Sequence, residues 1–350
     1  MSLGTNSSEG IALARRLVVT RLGDHAAMRL ESGRIPRPGP GHVLVATHAA
    51  GLARVDLLQR AGRHPGGPRP PFVPGRDVVG SVIAVGEGVS ETWSGLRVAA
   101  HLTGGGHATH VTVPEVRLVA LPDGISTTRA ACLPLNYLAA HQLLRSARLA
   151  PGDAVYVDGG SGGIGTALLD LAGELGVVAV GACSPAKNGV VERYGATPVD
   201  RHAADLTALV LDTISEVAPA GVRAAFSGGG TASLRVSRAV LAPGGLLTAY
   251  GGDVGPVRRP PAPRARLLPL VATLAAWAAT GRIRVAAYST QRSVERSPGT
   301  ARDDLTHLTG LLVGGRIDPL VAAEIPLDRA DEAYQLLESG TVAGKIVLVP

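Results

Sequence analysis

Gly160-Ser161-Gly162-Gly163-Ile164-Gly165 carries the spacing G-x-G-x-x-G. The chemistry that needs this spacing is the holding of a pyrophosphate by bare backbone. Glycine serves where the chain turns tightly, where a side chain would keep phosphate off the amides, and where the next helix packs close on a strand. Free amides at the helix start and the positive end of its dipole then hold the anion. The chain has 46 glycines, so the spacing alone also fits a plain glycine-rich turn. Its setting decides. The apolar run Ala154-Val155-Tyr156-Val157 precedes it, and a helix pattern over 163–175 follows and stops at Gly176. Every residue of the loop is therefore read as dinucleotide-binding.

The second strand, residues 177–180, bears on the choice of dinucleotide. An acid at its end would bind a ribose 2′-hydroxyl and repel a 2′-phosphate. Here the strand runs into Gly181-Ala182-Cys183-Ser184-Pro185-Ala186-Lys187, with no Asp or Glu. Ser184 offers a hydrogen bond, Lys187 a charge, and Arg201 lies after the third strand where it could approach the same group. NADPH is expected over NADH. Each residue also has a plainer reading, Ser184 as a helix N-cap and Lys187 and Arg201 as solvated surface.

The elements that position these groups fall into two textures. Before about residue 123 the chain shows short β-rich runs at 17–20, 43–46, 78–85 and 111–113, broken by Gly and Pro, which predicts an antiparallel, barrel-like domain. From Thr127 long Ala/Leu segments alternate with short apolar runs, the signature of βαβ units and a doubly wound parallel sheet. Further strands are expected near 206–211, at 224–226 and at 246–250, and a second helix over 187–194. After Arg284 the runs shorten again, with strands expected at 320–322 and 345–349 and a helix at 328–339. That last segment is expected to rejoin the first domain, giving an α/β chain divided as 1–126, 127–287 and 288–350.

Composition narrows the function classes. With 45% hydrophobic, 18% charged and 3% aromatic residues, 350 residues make packed globular structure rather than disorder. The net charge of +6 is almost all arginine, since Lys187 and Lys345 are the only lysines. The arginines are scattered and the aromatics too sparse for base stacking, so no nucleic-acid partner is expected. The densest basic stretch, residues 258–266, reads as a solvated loop or a ligand rim. Two cysteines, Cys132 and Cys183, are too few for a disulfide framework and fit a reducing compartment. No apolar run of about 18 residues occurs and residues 1–10 lack an apolar leader core, so a cytoplasmic protein without a membrane partner is expected.

Several stretches together resemble the zinc-independent medium-chain dehydrogenase/reductase superfamily, in its quinone oxidoreductase and enoyl reductase branch. They are Pro74-Gly75-Arg76-Asp77-Val78-Val79-Gly80, Val85-Gly86-Glu87-Gly88-Val89, Leu133-Pro134-Leu135-Asn136-Tyr137-Leu138, the glycine loop, and Leu241-Ala242-Pro243-Gly244-Gly245. The resemblance implies a GroES-like β-barrel catalytic domain built from both chain ends, a central Rossmann domain, and a substrate cleft between them; a homodimer is compatible with it. Zinc-dependent relatives place an early cysteine and a His-Glu pair where this chain has no cysteine and Arg76-Asp77, so no metal is expected.

The branch usually shows Asn three residues before Asp56, and this chain has Ala53. It usually begins a helix with Leu-Thr-Ala and an aromatic, and this chain reads Leu138-Ala139-Ala140-His141. These departures imply a more apolar pocket and a small apolar substrate. Hydride would add to an activated C=C and charge would gather on the conjugated oxygen, where one preorganised donor lowers the barrier by roughly 2.7–4 kcal/mol. Tyr137 and His141 are the candidate catalytic donors, with Arg54 and the 258–266 stretch as rims. Two alternatives stay open: a reductive cyclase, in which hydride addition to a conjugated polyene such as a polycyclic tetramate macrolactam precursor triggers ring closure, and a non-catalytic NADPH-binding protein.

Overall fold

The computed structural model describes residues 13–23, 27–64, 66–251 and 267–350. The first part of the chain forms β1 (Leu13–Val19), β2 (Met28–Arg34), β3 (His42–Leu52), β4 (Asp77–Val85), β5 (Arg97–His101), β6 (His110–Pro114) and β7 (Val119–Ala120). The middle contributes β8 (Ala154–Asp158), β9 (Val178–Cys183), β10 (Thr197–Asp200), β11 (Val222–Ser227), β12 (Leu241–Tyr250) and β13 (Arg284–Tyr288), and the end β14 (Val321–Pro326) and β15 (Lys345–Val349).

Strands β8 to β13 make one parallel sheet in the order β10-β9-β8-β11-β12-β13, the doubly wound Rossmann arrangement. The central strands β8, β9 and β11 are short and largely apolar because both sheet faces are covered. Side chains alternate between two cores. Val155 and Val157 pack with Leu168 and Ala224 on one side, Tyr156 with Val180, Val210 and Ala225 on the other. A fully buried leucine such as Leu168 contributes about 2 kcal/mol of apolar transfer.

Strands β1 and β2 pair with each other, and the others form a second large sheet in the order β14-β15-β3-β4-β5-β7, with β6 on β3. The chain end does return to the first part. β15 runs antiparallel to β3, pairing Ile346 with Leu52 and Leu348 with Ala50. A buried ion pair pins this return, Lys345 Nζ lying 2.7 Å from Asp77 Oδ2.

Two elements differ from expectation. Residues 206–211 are not a strand but the start of a helix, Leu206–Val217. Asp205 caps it, accepting from the Ala208 amide at 2.9 Å. Val210 and Ile214, four apart, are its buried residues, so the apolar spacing is helical. The third strand is β10, which holds Pro198; it lies at the sheet edge, where a missing N–H costs little. The second helix, expected over 187–194, is a short 3-10 turn over Pro185–Lys187 followed by a helix over Asn188–Glu192.

Candidate functional site

Strand order reverses between β8 and β11, and in such sheets ligands sit in the crevice beyond the C-terminal strand ends at that point. The glycine loop leaves β8 there. Gly165 is demanded by packing: a Cβ would lie 2.1 Å from the Gly159 carbonyl oxygen, so only glycine lets the helix Gly163–Glu174 sit this close to the strand. Gly162 is different. A Cβ there would meet no protein atom nearer than the Gly159 carbonyl oxygen at 3.4 Å, and its φ of −78° suits any residue. The space before the first helical amides is thus open, and no side chain caps that end. Ser161 presents its carbonyl to the Gly344 amide at 3.0 Å, while Ile164 is half-buried against the main core. Gly163 lies under Asn136, whose Nδ2 would be 2.4 Å from a Cβ added there.

The residues read as phosphate-binding gather at the ends of β9 and β10. Ser184 makes no cap bond; its Oγ lies 3.4 Å from Nε2 of His202. Lys187 Nζ donates to the carbonyls of Gly340 at 2.6 Å and Val342 at 2.8 Å. Burial, and then the charge of Arg201, lower its pKa. Arg201 follows β10 directly, exposed, beside Lys187. His202 was not singled out from sequence, although its place directly after Arg201 was a usable signal.

Both candidate donors, Tyr137 and His141, lie against carboxylates of the protein. Tyr137 is 2% exposed and donates its hydroxyl to Asp170 Oδ2 at 2.5 Å, an oxygen that also accepts from the Asp318 amide. Asp170 stands seven residues into the helix from Gly163, about 10 Å along its axis. The tyrosine therefore ties that helix to the segment around Asp318, away from the loop. His141 faces the helix Pro298–Val313, with Nε2 3.6 Å from Asp304 Oδ1 and its ring 5.4 Å from that of His307. Asp304 also accepts from Gln142 at 2.8 Å and from Arg145. Burial would raise this carboxyl, but His141, Gln142 and Arg145 together hold it below its ordinary value. His141 belongs to that buried polar seam. Arg54 is exposed at the start of the helix Arg54–Arg60, and residues 258–266 lie outside the described residues.

On the other side of the crevice the Pro74-Gly75-Arg76-Asp77 turn is held by Asp56, which accepts from the Gly75 amide at 3.0 Å and the Ala53 amide at 2.9 Å. Arg76, 5% exposed, donates from Nη1 to Gln291 Oε1 at 2.7 Å, three residues past the end of β13. Among the described residues its Nε has no hydrogen-bond partner, nor has Nδ1 of nearby His64. Ala139 is wholly buried and Ala53 half-buried, so methyl groups stand at both positions.

The donor set of a zinc site does not assemble on these residues. Asp77 is taken by Lys345 and by the Gly51 amide, and burial pushes the thiol of Cys132 up to about 12. Among the described residues no three His, Cys, Asp or Glu side chains converge as metal ligands. No helix among them is long and apolar enough to cross a membrane.

Comparison with known proteins places the chain. A family profile described as "Alcohol dehydrogenase GroES-like domain" matches residues 39–123, and one described as "Zinc-binding dehydrogenase" matches residues 194–348. The "Synaptic vesicle membrane protein VAT-1 homolog" of Rattus norvegicus is 30% identical over 96% of this chain and 84% of its own length. The "Quinone oxidoreductase" of Lama guanicoe is 28% identical over 97% of this chain and 98% of its own. Among solved structures, a mycobacterial protein complexed with NADPH superposes with a TM-score of 0.82 at 29% identity, over 96% of this chain and 100% of its own.

Proposed function

The chain belongs to the medium-chain dehydrogenase/reductase superfamily, in its quinone oxidoreductase-like branch, and from that premise we propose that it is an NADPH-dependent, zinc-independent reductase of carbonyl-conjugated C=C bonds in apolar acceptors. The observation that carries the reading is the open space at Gly162, bounded by bare backbone and by the uncapped start of a helix at the switch point of the sheet.

NADPH, when bound, supplies the hydride. The protein's own groups do the rest. Amides of the glycine loop hold the pyrophosphate. Ser184, Lys187, Arg201 and His202 surround the 2′-phosphate position, and Lys187 exchanges the carbonyls of Gly340 and Val342 for phosphate oxygens. The half-buried Ala53 and the wholly buried Ala139 supply no proton donor, which favours an acceptor of low polarity. The reductive cyclase remains a variant of this proposal, since the same groups would serve a polyene whose enolate attacks a second carbon.

Cofactor choice tests the reading. Wild type is expected to bind NADPH more tightly than NADH, because a 2′-phosphate meets Lys187, Arg201 and His202 and residues 181–187 at the end of β9 include no acid. Lys187→Ala should cost roughly tenfold or more in NADPH affinity, one charge-assisted contact of about 1.5–3 kcal/mol, and leave NADH affinity unchanged. Titration of nucleotide fluorescence reads both. Equal affinity of wild type for the two nucleotides, or unchanged NADPH binding in Lys187→Ala, would defeat the assignment.

A further inference from the structure

Resting on the hydride-transfer reading above, we propose that Arg76 is a catalytic residue that takes up, by hydrogen bonding, the negative charge developing on the acceptor's carbonyl oxygen, with the ring of His64 as a second donor beside it.

Arg76 sits in the turn before β4, yet its Nη1 reaches Gln291, three residues beyond the C-terminal end of β13. Ligand crevices in this kind of sheet open at that edge. The guanidinium therefore spans from the first sheet to the mouth of the second. It is 5% exposed, and its Nε is a buried donor without an acceptor among the described residues. An unmade hydrogen bond of this kind is costly, and a catalytic role is one of the reasons a protein keeps one.

The nearby carboxylates leave this need unmet. Asp56 is fully buried and gives one oxygen to the Gly75 amide and the other to the Ala53 amide. Glu295 accepts from Gln291 Nε2 at 2.8 Å. His64 supplies a second unpartnered atom, Nδ1. Burial first, and then the charge of Arg76, push its pKa down to about 4, so at neutral pH the ring is uncharged and adds no repulsion.

Arg76 suits the step because a guanidinium stabilises charge without surrendering its proton. When hydride reaches the far carbon of a C=C–C=O acceptor, a C–H bond forms there. The C=C pair shifts toward the carbonyl carbon, and the carbonyl π pair moves onto oxygen as an enolate. Arg76 donates to that oxygen and keeps its proton. Water delivers the proton to the remaining carbon, which completes the addition of two hydrogens.

The test pairs turnover with a probe that needs none. In Arg76→Met, kcat with an enone should fall roughly 10²–10³-fold, the loss typical of one preorganised oxyanion donor, while NADPH affinity is unchanged. Arg76→Lys should recover part of the loss. In protein loaded with NADP⁺, 4-nitrophenol should bind as the phenolate in preference to the phenol, seen as a lowered apparent pKa by absorbance, and Arg76→Met should abolish that preference. Unchanged kcat in a folded Arg76→Met variant overturns the proposal. So does a wild type that binds phenolate no better than phenol or binds neither. Should Arg76→Met fail to fold, the titration of wild type against Arg76→Lys decides, with a weaker phenolate preference in the lysine variant as the supporting result. A wild type that reduces no C=C acceptor defeats the functional reading alone, and the phenolate titration still judges Arg76.

Discussion

Gly162→Val should bind NADPH at least about a hundredfold more weakly than wild type, a loss near 2.7 kcal/mol, while melting at nearly the same temperature. The two halves of this expectation come from one measurement of space. The backbone at Gly162 has φ −78° and ψ 172°, which valine adopts freely, and the nearest protein atom to its Cβ would be 3.4 Å away. The fold therefore accepts the side chain. A pyrophosphate on the first amides of the helix Gly163–Glu174 does not, because the branched carbons fill the approach to those amides. Gly165 gives the opposite control, since a Cβ 2.1 Å from the Gly159 oxygen should damage the loop itself. Calorimetric titration with NADPH, beside a thermal melt, checks both. Tight binding by a folded Gly162→Val protein would remove the cradle from the account.

Lys345→Met should destabilise the protein by about 3–5 kcal/mol, the cost of leaving a buried charge without its partner. Lys345 and Asp77 have side chains 2% and 0% exposed, and the pair joins the chain end to the turn that carries Arg76. Replacing both, as Asp77→Asn with Lys345→Met, should recover much of the loss, because neither charge then remains. The pH dependence has a definite sign. Burial already raises the Asp77 carboxyl despite the pull of Lys345 and the Gly51 amide, and removal of the lysine raises it further. A carboxyl raised in the folded state binds its proton more readily there, so the deficit against wild type should shrink as pH falls toward the ordinary carboxylate range and widen as pH rises. Denaturant unfolding of the three proteins across pH measures it. A deficit that does not change with pH would contradict the buried-charge explanation.

What could be read from sequence was local. The glycine loop, the strand before it and the helix after it lie within about twenty residues, so spacing and apolar pattern were sufficient. Residues 206–211 were misread because β-branched and apolar residues suit both states; Asp205 and the spacing of Val210 from Ile214 mark the helix. The placement of donors was not legible. Tyr137 is engaged by Asp170, 33 positions on, and Gln142 beside His141 by Asp304, 162 positions on. Arg76 was read only as a residue that spoils a zinc site, because its partner Gln291 lies 215 positions away. Likewise Lys187 looked like a surface charge or a phosphate ligand, while its contacts with Gly340 and Val342 are made across the fold. Chain composition carries no trace of such pairings.

The most direct measurement follows the hydride itself. NADPH deuterated at C4 of the nicotinamide, supplied as each of its two stereoisomers, is incubated with the protein and an α,β-unsaturated ketone of low polarity, and the product is examined by NMR. The account predicts that one stereoisomer delivers a single deuterium to the carbon β to the carbonyl, with the carbonyl intact and the α carbon bearing hydrogen from water. Deuterium on the carbonyl carbon of an alcohol, or a product that carries no transferred deuterium from either stereoisomer, would contradict it.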